Sequence, residues 1–280
     1  MSVALSLVAT VVAGVFAVSL AGRFWRSRGK HNLFWAIALG MFSLASVALA
    51  YGLGIGWNGF AFGVYYLFGA VLNVPFLGLG QIYLVWPDRI AYAASVAVTA
   101  FALAATVTVL TTPMTITPSG KAHIPSGREV YATHIPEERL PSICKERATA
   151  NTPECRRDAD PLAIWPRIFA VFGNVIGTLL VVAGTVTSAA KLLRKRNRTR
   201  AATRTALGNL AIAAGVIVVA SGGTGARFGT TALLPFTLAL GVSMMYTGFV
   251  IAAPKVAGAK AGVPSSSDMS QTLAAPPEQA

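Results

Sequence analysis

Two long apolar stretches of this chain, residues 60–86 and 165–193, contain uncharged polar side chains, and five of these are candidates for a polar interior. Amide, hydroxyl and phenol groups at membrane depth donate and accept hydrogen bonds, so they can hold a small neutral solute or join neighbouring helices. Because they carry no charge, they do not indicate proton or ion coupling through carboxylates or amines. The five residues are Tyr66, Asn73, Gln81, Asn174 and Thr178.

The polar residues of each stretch share a helix face with small residues. At 100° per residue, the first set spans a sector of about 120° together with Gly63, Gly69 and Gly80, and the second does so together with Gly177 and Gly184. Small residues let membrane helices approach closely, and amides hydrogen-bond across such contacts. One interpretation is therefore that both faces are packing seams.

The other interpretation is that the two faces line a polar cavity. Pro75 has no backbone N–H, so it should free carbonyls near Val71 and kink the helix beside Asn73. Exposed backbone at membrane depth is tolerated only against protein or water. This hypothesis predicts passive binding or transport of a small solute between the third and fifth helices.

Two cysteines, Cys144 and Cys155, lie in the polar segment 113–164. If that segment faces an oxidising compartment, an even number of cysteines favours a disulfide that closes a short surface loop. Adding His123 and His134 would make a metal site, but no tight pair of ligands of the C-x₂-C type is present. Neither cysteine has a neighbouring base in the sequence, so the pattern does not predict a catalytic thiol.

A basic segment follows the second stretch. Basic residues near a membrane surface attract anionic lipid head groups, so lipids are the expected partners, although orientation in the membrane alone would also explain the charge. The net charge of +13 comes from short segments of this kind rather than from a folded basic surface, so nucleic acid is not an expected partner. The predicted lipid contacts are Arg194, Lys195, Arg196, Arg198 and Arg200.

The elements that must position these residues are membrane-spanning helices. Only 12% of the residues are charged and 54% are hydrophobic, far from the composition of a soluble domain. An apolar run of about 20 residues crosses the hydrocarbon core as a helix. The sequence therefore predicts an all-α polytopic bundle of seven transmembrane helices. The apolar runs cover residues 2–22, 33–54, 60–86, 90–110, 165–193, 207–221 and 231–253.

Four regions follow from these runs. Four helices occupy residues 1–112, a solvent-exposed segment occupies 113–164, three helices occupy 165–253, and a disordered tail occupies 254–280. The short loops on one side hold more Lys and Arg than those on the other, and such loops stay in the cytoplasm. We expect a plasma-membrane protein with its N-terminus and the segment 113–164 outside and its tail inside.

An ungapped shift of 170 residues lays the first three runs over the last three. Gly78 then falls on Gly248, Asn73 on Ser243, and the basic residues of the two loops coincide. The pattern predicts two parallel three-helix repeats joined by a linker helix, as in some membrane transporters. The alternative is chance, because a chain rich in Ala, Val and Gly matches itself easily.

Residues 65–89, YYLFGAVLNVPFLGLGQIYLVWPDR, resemble uncharacterised seven-span membrane proteins of high-GC, actinobacterial-type bacteria. The resemblance implies a bacterial plasma membrane and brings no activity or cofactor with it. No constellation of His, Asp or Glu lies at membrane depth, which favours a non-enzymatic protein. The alternative to a solute-binding protein is a structural or accessory subunit of a membrane complex, which docks partners through the bundle surface and the outer segment.

Overall fold

The computed structural model describes residues 2–112, 114, 124–125, 127–131, 164–194, 200–227 and 233–252. Within those ranges all regular structure is helical, and seven helices are long and apolar enough to cross a membrane. The predicted all-α bundle of seven spans is confirmed. Numbered in chain order, the first to seventh spans are Ser2–Ser27, Lys30–Gly54, Gly59–Val85, Asp88–Thr111, Trp165–Arg194, Arg200–Arg227 and Leu234–Ala252.

Several spans extend beyond the apolar runs that predicted them. The basic segment between the first two apolar runs, residues 23–32, is mostly helical, and only Arg28 and Gly29 separate the first two spans. The sixth run, predicted over 207–221, belongs to a helix of 28 residues. Hydropathy detects the part of a helix that suits hydrocarbon, whereas basic, Gly and Thr residues continue the helix into the interface without adding to the apolar signal.

Six of the spans pack in a closed ring. Each of the first, second, third, fifth, sixth and seventh spans packs against the next in that order, and the seventh returns to the first. The fourth span lies outside this ring and contacts the third and fifth. Exchanging the first three spans for the last three leaves the pattern of neighbours unchanged. This is the arrangement that two parallel three-helix units give about a two-fold axis along the membrane normal.

The third span is an α-helix with a π-helical section in its middle, Tyr65–Leu72. The section ends just before Pro75, the proline expected to disturb this helix. A π turn spaces its hydrogen bonds five residues apart, and Pro75 has no N–H for the carbonyls of Val71 or Ala70. The π section thus precedes Pro75 in the chain, and the predicted kink beside Asn73 stays a prediction.

Small residues of the fifth span pack directly on the backbone of the third. A Cβ atom added to Gly177 would lie 2.6 Å from the carbonyl oxygen of Val74, and one added to Gly173 would lie 2.9 Å from that of Val71. Both distances are too short for an ordinary contact, so only glycine permits this approach. The predicted packing seam is present in this part of the interface.

Part of the segment after the fourth span folds back on the bundle. A short helix, Gly127–Val130, leads to Tyr131, and Ile124, Val130 and Tyr131 are all buried. The expectation that residues 113–164 are solvent-exposed is therefore wrong for these residues, because their apolar side chains join the hydrophobic clusters of the spans. Most of this segment and the tail 254–280 lie outside the described residues.

Candidate functional site

A cavity of about 390 Å³ lies within the ring of spans. Its walls come from the second, third, fifth, sixth and seventh spans, together with Ile124, Pro125 and Gly127 from the segment after the fourth span. Charged residues are absent from the lining that the structure describes. The cavity therefore offers a mostly apolar surface with a few uncharged polar groups.

The cavity extends from one end of the bundle to its middle. We call the end where the fourth span ends and the fifth begins the long-segment end, and the end where the first span meets the second the basic-loop end. Gly127, Gly223 and Thr224 line the cavity near the long-segment end, whereas Leu39 and Leu77 line it about 12 Å from the basic-loop end of their helices. The inner end of the cavity thus lies among the middle turns of these helices.

Four of the five predicted polar residues, Tyr66, Asn73, Asn174 and Thr178, line this one cavity. Ser46 of the second span lines it as well, and the sequence analysis did not single it out. The sequence gives little indication that Ser46 lines a cavity, because a lone serine among Ala, Leu and Val residues is common in membrane helices. The structure thus contains both a cavity, lined by the polar residues, and a seam, formed by the neighbouring glycines.

Asn73 brings a hydrogen-bond acceptor to the cavity. Only 3% of the residue is exposed, and its Oδ1 atom has no hydrogen-bond partner among the residues that the structure describes. An unpaired buried amide oxygen lowers stability, and a donor from a ligand would satisfy it. Asn73 therefore adds a buried, unpaired acceptor to the lining of the cavity.

Asn174 has a structural role beside that acceptor. Its Nδ2 atom donates to the carbonyl oxygen of Ala70, at the end of the π section, and to that of Ala170 at 2.7 Å. Ala70 precedes Pro75 by five residues, the spacing of a π turn. The amide of Asn174 therefore binds one of the carbonyls that Pro75 cannot satisfy, and it fixes the cavity wall on both spans.

Tyr66 forms the wall near the long-segment end. Its hydroxyl donates to the carbonyl oxygen of Pro166 at 3.4 Å, and its ring packs on Phe62 and Tyr131. Burial, with Tyr66 beside it, raises the pKa of the Tyr131 phenol, so Tyr131 is uncharged at neutral pH. This aromatic cluster adds apolar surface and no charge to that end of the site.

Gln81 lies apart from the other predicted site residues. It follows Asn73 by eight residues, so it lies about 12 Å closer to the basic-loop end of the same helix. It does not line the cavity. Only 1% of it is exposed, and neither its Oε1 nor its Nε2 atom has a partner within the described part of the chain. A helical wheel places Gln81 near the cavity face because such a projection discards depth.

The remaining predicted residues lie at or beyond the limits of the described chain. Cys144 and Cys155 are outside the described residues, so the disulfide stays a prediction. Arg194 ends the fifth span and Arg200 begins the sixth. Lys195, Arg196 and Arg198 lie between them, outside the described ranges, and the lipid contacts also stay a prediction. The described residues contain no group of three metal-ligating side chains.

Fold and site together define a multi-pass helical membrane protein with an uncharged, mostly apolar cavity inside its bundle. Comparisons with protein-family models, curated proteins and solved structures give no significant match. The chemistry of the cavity lining is therefore what bears on function.

Proposed function

We propose that this protein binds a small neutral solute in the cavity beside the third and fifth spans and passes it without energy coupling. The observation that carries this proposal is a cavity of about 390 Å³ that is lined by four predicted polar residues and by no described charged one. Ligand sites of about 300–1,000 Å³ commonly combine an apolar lining with a few polar groups that fix orientation.

The lining indicates the kind of solute. Asn73 offers an unpaired acceptor, and Thr178 and Ser46 bring hydroxyl groups to the same cavity. An ion would lose its hydration here without a charged partner, which is costly in an apolar site. The expected ligand is an uncharged molecule with an apolar body and one or two hydrogen-bonding groups.

We also propose a location and an orientation. The distribution of Lys and Arg favours a plasma-membrane protein with its basic-loop end in the cytoplasm and its N-terminus outside. Anionic lipids would then surround the basic residues near Arg194 and Arg200, and the cavity would lie in the half of the membrane nearest the outside.

Two glycines provide a matched test of the cavity. A Cβ atom added to Gly223 or to Gly40 meets no heavy atom within 4 Å, yet only Gly223 lines the cavity. Gly223→Leu should fill cavity space, whereas Gly40→Leu should not. The purified full chain in nanodiscs would be screened by thermal unfolding against neutral alcohols, amides and sugars. Stabilisation of the wild type and of Gly40→Leu, but not of Gly223→Leu, is expected.

Other outcomes of this screen would contradict the proposal. If no neutral compound raises the unfolding temperature, or if Gly223→Leu responds as Gly40→Leu does, the cavity is not the binding site. Stabilisation by charged compounds alone would contradict the class of solute.

A second candidate function, an accessory subunit of a membrane complex, is favoured by the fourth span. Only 11% of its apolar window is buried, the smallest share among the seven spans. Its exposed residues include Ala93, Ala97, Ala100 and Ala104, spaced as in close helix–helix contacts. If this function is correct, Ala97→Leu should abolish copurification of a partner subunit and leave solute-dependent stabilisation unchanged.

A further inference from the structure

Gln81 is a buried amide that the cavity described above does not explain. It is 1% exposed and makes no hydrogen bond through either side-chain amide atom within the described chain. An unpaired buried amide is costly, and Leu would fill a similar volume without that cost. Gln81 therefore needs a partner that is not a described protein group.

A small gap beside Gln81 has room for such a partner. Its volume is about 30 Å³, which accommodates about two water molecules or one small polar group. Gly184 of the fifth span makes space for the amide, since a Cβ atom there would collide with the Gln81 side chain. The gap thus combines a buried donor and acceptor with enough space to use them.

Three apolar residues separate this gap from the larger cavity. Leu39, Leu77 and Met245 line both spaces, so they form a partition one side chain thick. On the third span, Asn73, Leu77 and Gln81 follow one another at intervals of four residues, an amide on each side of the leucine. Hydrophobic constrictions of this kind close pathways by excluding water.

Aromatic side chains contribute to the rest of the wall of the gap. Phe16, Trp35 and Phe249 line it, and the rings of Phe16 and Phe249 lie 4.9 Å apart. The Arg23 guanidinium lies 4.4 Å from the centre of the Phe249 ring. Gln81 therefore faces a small space with a mostly apolar wall.

We propose that Gln81 is an inner binding site for a hydroxyl or amide group of a small neutral solute, and that Leu39, Leu77 and Met245 form the gate between this site and the cavity. The inference rests on the proposed function and specifies the route that the solute takes through the bundle. Met245 is the mobile part of the gate, because its unbranched side chain changes rotamer more readily than the two leucines.

The gate is tested by solute flux through the full-length protein in proteoliposomes. Glycerol and urea entry would be followed by light scattering after osmotic shock. Met245→Ala should raise glycerol flux about tenfold over wild type by removing a side chain from the gate. Met244→Ala is the matched control, since Met244 is partly exposed and lines neither space. Raffinose, which is much larger, should remain excluded.

Gln81→Leu in the Met245→Ala background tests the inner site. Loss of most of the added glycerol flux is expected, with glycerol entry returning to near the wild-type rate. Equal flux in Met245→Ala and Met244→Ala would overturn the gate, as would raffinose entry. Unchanged flux in the double variant would overturn the role of Gln81. The thermal-unfolding screen separates failure of the gate from failure of the proposed function. If neutral solutes stabilise the wild type and Gly223→Leu removes this stabilisation, the cavity binds solute even when the gate proposal fails.

Discussion

At the scale of single residues, Asn73 and Asn174 are alike in sequence and different in structure. Both are asparagines in apolar helices, and both line the same cavity. The side-chain amide of Asn174 donates hydrogen bonds to the carbonyl oxygens of Ala70 and Ala170. The Oδ1 atom of Asn73, in contrast, has no hydrogen-bond partner among the described residues. Sequence could not separate the two roles, because the Ala70 carbonyl becomes available only through the π section and Pro75.

The two asparagines should therefore respond differently to replacement by leucine. Asn174→Leu leaves the Ala70 carbonyl without its amide partner, and we expect a loss of about 1–3 kcal/mol in the free energy of unfolding. Thermal or denaturant unfolding in detergent measures this loss. Asn209→Leu is the control, because Asn209 donates to the Ser188 hydroxyl, which can find another partner by rotating. A smaller loss for Asn174→Leu than for Asn209→Leu would contradict the structural role.

Asn73→Leu should leave stability unchanged or increase it, since the substitution removes an unpaired buried acceptor. Solute-dependent stabilisation should fall at the same time. Leu72→Ala provides the comparison, because Leu72 is buried in a hydrophobic cluster and its truncation should cost about 2–5 kcal/mol while the cavity keeps its polar groups. If Asn73→Leu destabilises the fold and still binds solute, Asn73 is a packing residue.

At the scale of elements, hydropathy predicted every span but not its internal geometry. Seven apolar runs are enough to place seven helices, since the bilayer sets the required length. The ends of the helices and the π section depend on interfacial residues and on contacts with the fifth span. These contacts join residues about 100 positions apart in the chain, such as Val71 and Gly173, and no local pattern specifies them.

The seam between the third and fifth spans should be intolerant of a single methyl group. Gly177→Ala places a Cβ atom 2.6 Å from the Val74 carbonyl oxygen, so the helices must separate, and we expect a loss of about 1–3 kcal/mol in the free energy of unfolding. Gly40→Ala, where a Cβ atom meets no heavy atom within 4 Å, should be neutral or stabilising by up to about 1 kcal/mol. Equal unfolding temperatures for the two variants would contradict the close packing.

At the scale of the whole molecule, the ring of six spans has the neighbours expected of two parallel three-helix units. The packing contacts of Gly78 and Gly248, a pair that the predicted repeat makes equivalent, are different. Gly78 packs on Gly177 of the fifth span, whereas Gly248 packs on the Gly208 carbonyl of the sixth, not on the first span that a two-fold axis would require. The contacts of these two glycines therefore do not support the predicted repeat, which stays a prediction.

The orientation of the whole chain is open to a reporter experiment. A reporter that is active only in the cytoplasm, fused to the C-terminus, should give a signal if the basic-loop end is cytoplasmic. The same reporter inserted in the segment 132–163 should be silent. A silent fusion at the C-terminus would reverse the proposed orientation.

The predicted disulfide depends on that orientation. A thiol reagent that does not cross membranes, added to intact cells, should label Cys144 and Cys155 only after reduction. Labelling without a reductant would contradict the disulfide.

The most direct test of the central claim is whether water reaches Thr178, because a cavity admits water and a packing seam does not. Thr178→Cys would be made with Cys144 and Cys155 replaced by serine and treated with a small charged methanethiosulfonate reagent. Ile176→Cys, two residues away and 54% exposed on the outer face of the same span, is the control in hydrocarbon. We predict that Thr178→Cys reacts, that Ile176→Cys does not, and that Gly223→Leu but not Gly40→Leu suppresses the reaction. Thr178→Cys as unreactive as Ile176→Cys would contradict the account.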